Sequence, residues 1–185
     1  MTDWITPLRR MLTAEYADSP PLCWMATVDP LGQPTVRTMV LRELRPSDGA
    51  LIFTSDRRTH KDDHLRANPA TEVAFWLAHN ACQIRISGDA MVLDAENDEY
   101  MRQEWWQKIS DESRALHVYH RNHPATAEAP ARPARVDADT PMPPTFELIV
   151  LNPNSVELLN LGSMPHERVH YQRHAGQWTV EKPAH

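Results

Sequence analysis

The chain has 185 residues, of which 41% are hydrophobic and 24% charged, and its formal net charge is −6. This composition is ordinary for one globular domain over 1–185, and it excludes the broadly basic surface with which nucleic-acid-binding proteins neutralise phosphates. No stretch approaches 18 consecutive apolar residues and the first residues lack a long apolar core, so we expect a cytoplasmic protein with no membrane span and no signal peptide.

The hydrophobic pattern predicts a helix at the start of the chain, followed by strands with two further helical regions between them. Apolar residues at helical spacing indicate a helix over 3–17, and further helices are expected over 61–67 and within 95–119. Nine strands are predicted at 22–28, 35–41, 50–55, 71–77, 81–93, 146–150, 155–161, 168–173 and 177–181. Because strands follow strands, the fold is expected to be mainly β, an antiparallel sheet closed into a β-barrel with flanking α-helices.

The segment 123–145 has a different composition from the rest of the chain. It is rich in Pro and Ala and has few large apolar residues. Such a segment cannot bury enough apolar surface to offset the entropy of ordering it. The sequence therefore predicts a long, mobile loop here.

Arg37 lies in the second predicted strand, on the same face as Met39 and Leu41. Both faces of this strand are largely apolar, which is typical of a barrel wall covered on both sides, so the guanidinium is expected to be buried. A buried guanidinium needs a carboxylate or a phosphate as partner. An internal salt bridge and a bound anion both satisfy this requirement.

A second basic cluster, Arg57–Lys61, runs from the end of a strand into the start of a helix. Helix N-termini expose unpaired backbone N–H groups at the positive end of the helix dipole, which together suit an anion. Thr59 is expected to be the N-cap and to offer a hydroxyl donor. Cations at this end oppose the dipole, so the cluster indicates an external anion, although a solvated charged loop also accounts for it.

Gln83 shares one face of the fifth predicted strand with Arg85 and Ser87. Its amide can both donate and accept a hydrogen bond, as the edge of a heterocyclic ligand requires. An exposed strand residue is the alternative.

The order of these segments resembles the pyridoxamine 5′-phosphate oxidase-like FMN-binding split-barrel family. The segments that carry the resemblance are Ala26–Asp29, Gly32, Pro34, Arg37–Arg42, Phe53–Ser55, Arg58–Lys61, Asn68–Pro69, Phe75–Trp76, Gln83–Gly88, Pro165–Arg168 and Trp178. They extend over about residues 5–182. The resemblance implies an antiparallel FMN-binding split barrel that forms an obligate homodimer with FMN at the subunit interface.

The resemblance also implies roles for individual residues. It makes Arg37 and Lys61 the principal ligands of the FMN phosphate, with Arg58 and Thr59 beside them. The other implied cofactor residues are Thr38, Met39, Val40, Leu41, Arg42, Phe53, Thr54, Gln83 and Arg168. Gln83 and Arg168 are expected to serve the flavin that is bound mainly by the other subunit.

The sequence departs from the family pattern at the substrate site. Arg42 stands where the oxidases have a lysine. Four residues after the tyrosine that corresponds to Tyr100 the oxidases have an arginine, and this chain has Glu104 there. Of the oxidases' Arg-Leu-His motif only His166 remains. The resemblance thus implies an FMN-dependent oxidoreductase whose substrate the sequence does not identify. Arg42, His166 and Tyr100 are expected to face that substrate, and the resemblance assigns no catalytic residue. A non-catalytic flavin or haem carrier on the same barrel is the alternative.

Histidines cluster at His117, His120 and His123. Their spacing fits no standard zinc pattern, and a Pro-rich segment follows them. The sequence therefore predicts no metal site.

Overall fold

The computed structural model describes residues 3–122 and 135–181. The helices are α1 (Ile5–Glu15), α2 (His60–Ala67), α3 (Glu99–Lys108) and α4 (Asp111–Asn122), with a 3-10 turn at Ala78–Asn80. The strands are β1 (Leu22–Val28), β2 (Pro34–Val40), β3 (Glu43–Leu44), β4 (Leu51–Asp56), β5 (Ala70–Leu77), β6 (Cys82–Leu93), β7 (Phe146–Asn160), β8 (Glu167–His174) and β9 (Gln177–Glu181). Within these two ranges, no helix is long and apolar enough to span a membrane.

The strands form one curled antiparallel sheet in the order β2-β1-β5-β6-β7-β4-β3, and β8 and β9 extend it from β7. The two ends of this order, β2 and β3, are separated in the chain only by Leu41 and Arg42. Leu41 N–H still bonds Pro21 beside β1, and Arg42 N–H already bonds Ile52 on β4. The chain therefore joins the two edges of the curled sheet at this crossing, and the predicted mainly-β, antiparallel split barrel is confirmed.

Two apolar clusters hold the barrel together. The larger fills its interior, where alternate side chains of the strands meet Leu8 and Leu12 on the buried face of α1 and Trp4 just before this helix. The smaller lies between the outer side of β7 and helix α3, around Phe146 and Trp106. The 2-residue period of the strands and the helical period of α1 account for which residues enter the larger cluster.

The structure corrects the predicted boundaries in the second half of the chain. The two strands predicted over 146–150 and 155–161 are one 15-residue strand, β7. Pro153 falls inside it opposite Gly88, where the register with β6 shifts at a bulge. Proline is tolerated at such bulges, so Pro153 does not end the strand here.

The helical region predicted within 95–119 is divided into two helices. Ile109 leaves the helical conformation with a ψ of 155°, and Ser110 accepts a hydrogen bond from the N–H of Ser113 at the start of α4. A serine that receives a backbone N–H in this way begins a new helix. The short strand β3 was also not predicted, because its two residues are too few to show a period.

The predicted loop over 123–145 lies partly outside the described residues. Residues 135–145 have no helix or strand, as predicted, but they are held against α3 and α4. Trp106 Nε1 donates to Thr140 O at 2.8 Å, and Arg114 Nε donates to Val136 O at 3.0 Å. This part of the predicted mobile loop is therefore a docked segment, because side chains of two helices bind its carbonyls.

The outer face of β1, β2 and β5 is open to solvent. It carries exposed apolar side chains, with Trp24 at 48%, Val36 at 64% and Trp76 at 41% exposure. The expectation that β2 is covered on both sides was therefore wrong for the single chain, since only its inner face packs on the core.

Candidate anion and cofactor site

A pocket of about 630 Å³ opens between β2 and the first turn of α2. Small-molecule pockets typically span roughly 300–1,000 Å³. The pocket is lined by Asp29, Thr35, Arg37, Thr59, His60, Lys61 and His64. The carboxylate of Asp29 accepts hydrogen bonds from the backbone N–H groups of Leu31 and Gln33. The strand-to-helix segment and the second strand, predicted separately to bind an anion, thus face one cavity.

Arg37 is half-buried at the wall of this pocket. Its Nη1 donates to Met25 O at 3.1 Å and its Nη2 donates to Thr35 Oγ1 at 2.6 Å. No carboxylate within the described residues pairs with it, so the internal salt bridge left open by the sequence is not formed there. Burial lowers the pKa of the guanidinium from its ordinary value.

Lys61 extends from the first turn of α2 toward the same space. Its Nζ donates to Thr59 Oγ1 at 2.6 Å. Burial lowers the pKa of Lys61; the positive charge of Arg37 acts in the same direction, whereas the nearby carboxylate of Asp62 opposes it. Two half-buried cations therefore lie close enough to repel each other.

Thr59 is the N-cap residue of α2, as predicted, with an extended backbone. Its hydroxyl donates to Asp56 O at 2.7 Å and makes no capping hydrogen bond. The oxygen therefore accepts from Lys61, and the predicted donation from this hydroxyl to an anion would require it to rotate.

Arg58 takes a different direction from Arg37 and Lys61. Its guanidinium lies 2.7 Å from the carboxylate of Asp56, and its backbone N–H bonds the same side chain. Of the predicted phosphate ligands, Arg37 and Lys61 converge on the pocket, whereas Arg58 is tied to the end of β4.

His64 is a pocket residue that the sequence did not single out. It is 8% exposed, and its Nδ1 lies 3.1 Å from Thr27 Oγ1 and 3.3 Å from Thr35 Oγ1. It follows Lys61 by three residues, so the two share a face of α2. That spacing was the available signal, but a lone histidine on a helix is not specific.

The remaining predicted residues of β2 and β4 differ in exposure. Thr38 is exposed on the outer face, and Val40 is half-buried. Met39, Leu41 and Phe53 are buried in the barrel core. Any contact of these three with a cofactor in the pocket would therefore come from their backbone groups.

Arg42 binds hydroxyl groups from two distant parts of the chain. Its Nε donates to Thr54 Oγ1 at 3.3 Å and its Nη2 donates to Ser113 Oγ, on α4, at 3.1 Å. Burial lowers its pKa, and it pairs with no carboxylate in the described part of the chain. Ser113 was missed because 71 residues separate it from Arg42 and nothing in its surroundings marks it.

Gln83 and Arg168 occupy one row of the sheet. Gln83 is opposite Leu159 on β7, which is in turn opposite Arg168 on β8, so all three point to the outer face. Arg168 lies 3.8 Å from the carboxylate of Glu157. Arg37 points to the inner face with Met25 and Met39, so it lies on the opposite face of the sheet from Gln83 and Arg168.

The other two predicted substrate-facing residues stand apart. Tyr100 is 81% exposed on α3, and Glu104 pairs with Lys108 of the same helix. His166 is exposed and precedes β8, with its Nδ1 donating to Ser163 O at 3.1 Å.

A buried acidic cluster lies beneath α2. Asp62 and Glu147 are at most 1% exposed, and Arg66 binds them at 3.3 and 3.0 Å and Asp94 at 2.9 Å. Burial, followed by the neighbouring Asp62, raises the pKa of Glu147 to about 8. This cluster attaches α2, and with it Lys61, to β7.

In the two described ranges, no three potential ligand side chains are arranged to hold a metal. His117 packs edge-on against the rings of Trp106 and Phe146, with ring centroids 6.4 and 4.8 Å away.

Comparison with known proteins places this geometry in a family. Residues 1–94 match the family model described as the pyridoxamine 5′-phosphate oxidase FMN-binding domain. The chain is 31% identical to pyridoxine/pyridoxamine 5′-phosphate oxidase of Ralstonia pickettii over 86% of this chain and 77% of that protein. It is 27% identical to pyridoxine/pyridoxamine 5′-phosphate oxidase 2 of Arabidopsis thaliana, over 85% of this chain and 84% of the relative.

Among solved structures, the chain is similar to a pyridoxamine 5′-phosphate oxidase-related, FMN-binding protein of Nostoc punctiforme. The TM-score is 0.86 at 26% identity, and the match covers 100% of this chain and 98% of the other. The match of the family model over half of the chain, and the similarity to whole relatives, lead to one conclusion: the chain belongs to the pyridoxamine 5′-phosphate oxidase family and contains its FMN-binding domain.

Proposed function

We propose that this protein binds FMN and acts as an FMN-dependent oxidoreductase similar to pyridoxamine 5′-phosphate oxidase. The observation that carries the proposal is the pair Arg37 and Lys61. Both cations are half-buried at one pocket, and neither pairs with a carboxylate among the described residues. Family membership supports the same ligand, since the matched domain is named for FMN binding.

A phosphate monoester fits this pocket for electrostatic reasons. Two desolvated cations that repel each other are stabilised by a dianion placed between them, and charge-assisted hydrogen bonds to phosphate are among the strongest in proteins. The N-terminus of α2 lies at the same wall, and helix N-termini suit anions because of their backbone N–H groups and the helix dipole. Arg37 and Lys61 would hold the FMN phosphate.

The position of Gln83 supports a second protomer at the site. Gln83 and Arg168 lie on the outer face, whereas Arg37 lies on the inner face of the same sheet. If all three contact one flavin, two chains must supply them. We therefore propose a homodimer with FMN at the interface, in which the exposed apolar side chains of Leu22, Trp24, Val36 and Trp76 are covered by the partner.

The bound flavin would supply the hydride chemistry, and the chain would bind it, orient it and exclude water. Arg42 is the residue best suited to face a substrate, because it is a half-buried cation held by two hydroxyls and paired with no described carboxylate. We therefore expect an anionic substrate. Pyridoxine and pyridoxamine 5′-phosphate, named for the relatives, are the first compounds to test.

The proposal is tested by purifying the chain and recording its absorbance. Flavin bands, with FMN identified after release from the protein, are the expected result. Under anaerobic conditions, bleaching of these bands by one member of a substrate panel supports the oxidoreductase. Bound FMN that no substrate reduces identifies a carrier instead, and a Soret band or a colourless protein that takes up no FMN contradicts the proposal.

A further inference from the structure

Arg37 ends a hydrogen-bonded chain that crosses three elements of the fold. Its Nη2 donates to Thr35 Oγ1 at 2.6 Å on β2. Thr35 Oγ1 lies 3.1 Å from Thr27 Oγ1 on β1, and Thr27 Oγ1 lies 3.1 Å from His64 Nδ1 on α2. Thr27 is 1% exposed and His64 is 8% exposed, so water contributes little to satisfying these groups.

The charge of Arg37 favours one direction of donation along this chain. Thr35 Oγ1 accepts from the guanidinium, so its own proton must point away, toward the Thr27 hydroxyl, the Thr27 carbonyl at 3.4 Å or His64 Nδ1 at 3.3 Å. When the Thr35 proton points to Thr27 Oγ1, the Thr27 proton has His64 Nδ1 as its acceptor. Hydrogen bonds aligned in one direction strengthen one another, and a cation at the head favours a lone pair at the tail.

We propose that His64 is a positioning residue of the anion site, with Nδ1 as the terminal acceptor of the chain that orients Arg37. This inference rests on the proposed FMN site and adds a residue that would set its affinity. Two of the five guanidinium N–H groups are used, on Met25 O and Thr35 Oγ1. The other three have no partner within the described residues and are available to a phosphate.

Loss of the terminal acceptor has a defined consequence. Without Nδ1, the buried Thr27 proton turns to Thr35 Oγ1, which then receives two donors. The bond from Arg37 to Thr35 weakens, and the guanidinium is no longer held toward the pocket. Because the effect passes through Arg37, it concerns the phosphate of a ligand and not its ring.

The test uses two matched pairs of variants in the full chain. His64→Leu removes the acceptor, whereas His64→Asn keeps a polar atom near the position of Nδ1. Thr27→Val removes the hydroxyl at constant shape, whereas Thr27→Ser keeps it. The affinities of each folded variant for FMN and for riboflavin, which lacks the phosphate, are measured together with the thermal shift that inorganic phosphate produces.

We expect His64→Leu and Thr27→Val to bind FMN about tenfold more weakly, the loss of roughly one charge-assisted hydrogen bond, with riboflavin affinity unchanged. His64→Asn and Thr27→Ser should stay within about threefold of the wild type. In an Arg37→Ala background, His64→Leu should add nothing, since the residue it orients is gone.

Several results would overturn the role of His64. The first is that both His64→Leu and Thr27→Val bind FMN as tightly as the wild type. The second is that they lose equal affinity for FMN and riboflavin, which would indicate general damage to α2. A full additional loss on top of Arg37→Ala is a third. If the wild type responds to phosphate but not to FMN, the proposed function fails and the phosphate shifts of the variants decide the role of His64; if it responds to neither, both fail.

Discussion

Arg37 and Gln83 project from opposite faces of the same antiparallel sheet. Arg37 is opposite Met25, on the face that packs on the core, whereas Gln83 alternates with the buried Cys82 and Ile84 and points outward. Strand alternation makes this separation rigid, since no side-chain rotation moves a residue to the other face. If both residues contact one FMN, two chains must share each site.

The proposed roles of Arg37 and Lys61 as phosphate ligands can be tested one residue at a time. Arg37→Ala and Lys61→Ala are each expected to weaken FMN binding by about 1.5–3 kcal/mol, the range for hydrogen bonds to charged groups. Flavin fluorescence titration measures the affinities. Arg10→Ala, on the exposed side of α1, is the matched control and should bind like the wild type. Unchanged affinity in both site variants would refute the assigned pocket.

Mixed dimers test the sharing of sites between chains. One variant carries Arg37→Ala with Lys61→Ala, and the other carries Gln83→Ala with Arg168→Ala, so neither homodimer has an intact site. After subunit exchange, about half of the dimers are mixed, and each has one intact site, so about a quarter of all sites should recover tight FMN binding. Recovery of none would place the whole site within one chain.

Sequence reasoning was reliable where local periodicity determines the structure. Alternation placed Gln83, Arg85 and Ser87 on one face of β6, and the capping preference placed Thr59 at the start of α2. It was wrong at Pro153, because tolerance of a proline depends on the bulge opposite it and not on its neighbours in the chain.

The residues that the sequence missed act across long separations. Ser113 meets Arg42, Glu147 meets Asp62, and His64 meets Thr27 only after the barrel has formed. Each is an ordinary polar residue in its local context. The placement of Arg37 and Lys61 at one pocket was predictable because both follow the family pattern, but their buried supports were not.

The buried acid Glu147 predicts a pH-dependent stability. Its pKa is raised from 4.5 to about 8 in the folded chain, so the folded state keeps a proton that the unfolded state releases. The free energy of unfolding should therefore fall as the pH rises from about 4.5 to 8, because the folded state binds more protons in this range.

Replacement of Glu147 isolates this effect. Glu147→Gln mimics the neutral carboxyl group, so its Tm should be close to that of the wild type near pH 5, and the difference in its favour should grow by several degrees toward pH 8. Glu96→Gln, at an exposed position, is the control. A Tm difference that does not change with pH would show that Glu147 is ionised in the folded state.

Gly88 predicts a steric limit at the β6 bulge. A Cβ at this position would overlap Asn152 O and lie 2.9 Å from Pro153 Cα, both backbone atoms of β7. Gly88→Ala should therefore lower the free energy of unfolding by about 1–3 kcal/mol, as overpacking does in cores. Gly162→Ala, whose nearest contacts would be at 3.3 Å, should cost less in the same urea titration.

The central claim is that Arg37 and Lys61 form a binding site for the phosphate of FMN. Titration of the flavin-free protein with FMN and with riboflavin, followed by flavin fluorescence, tests it most directly. The expected result is saturation at one FMN per chain, with riboflavin bound far more weakly because it leaves both cations without an anion. Equal affinity for the two flavins, or no saturable binding of FMN, would contradict the claim.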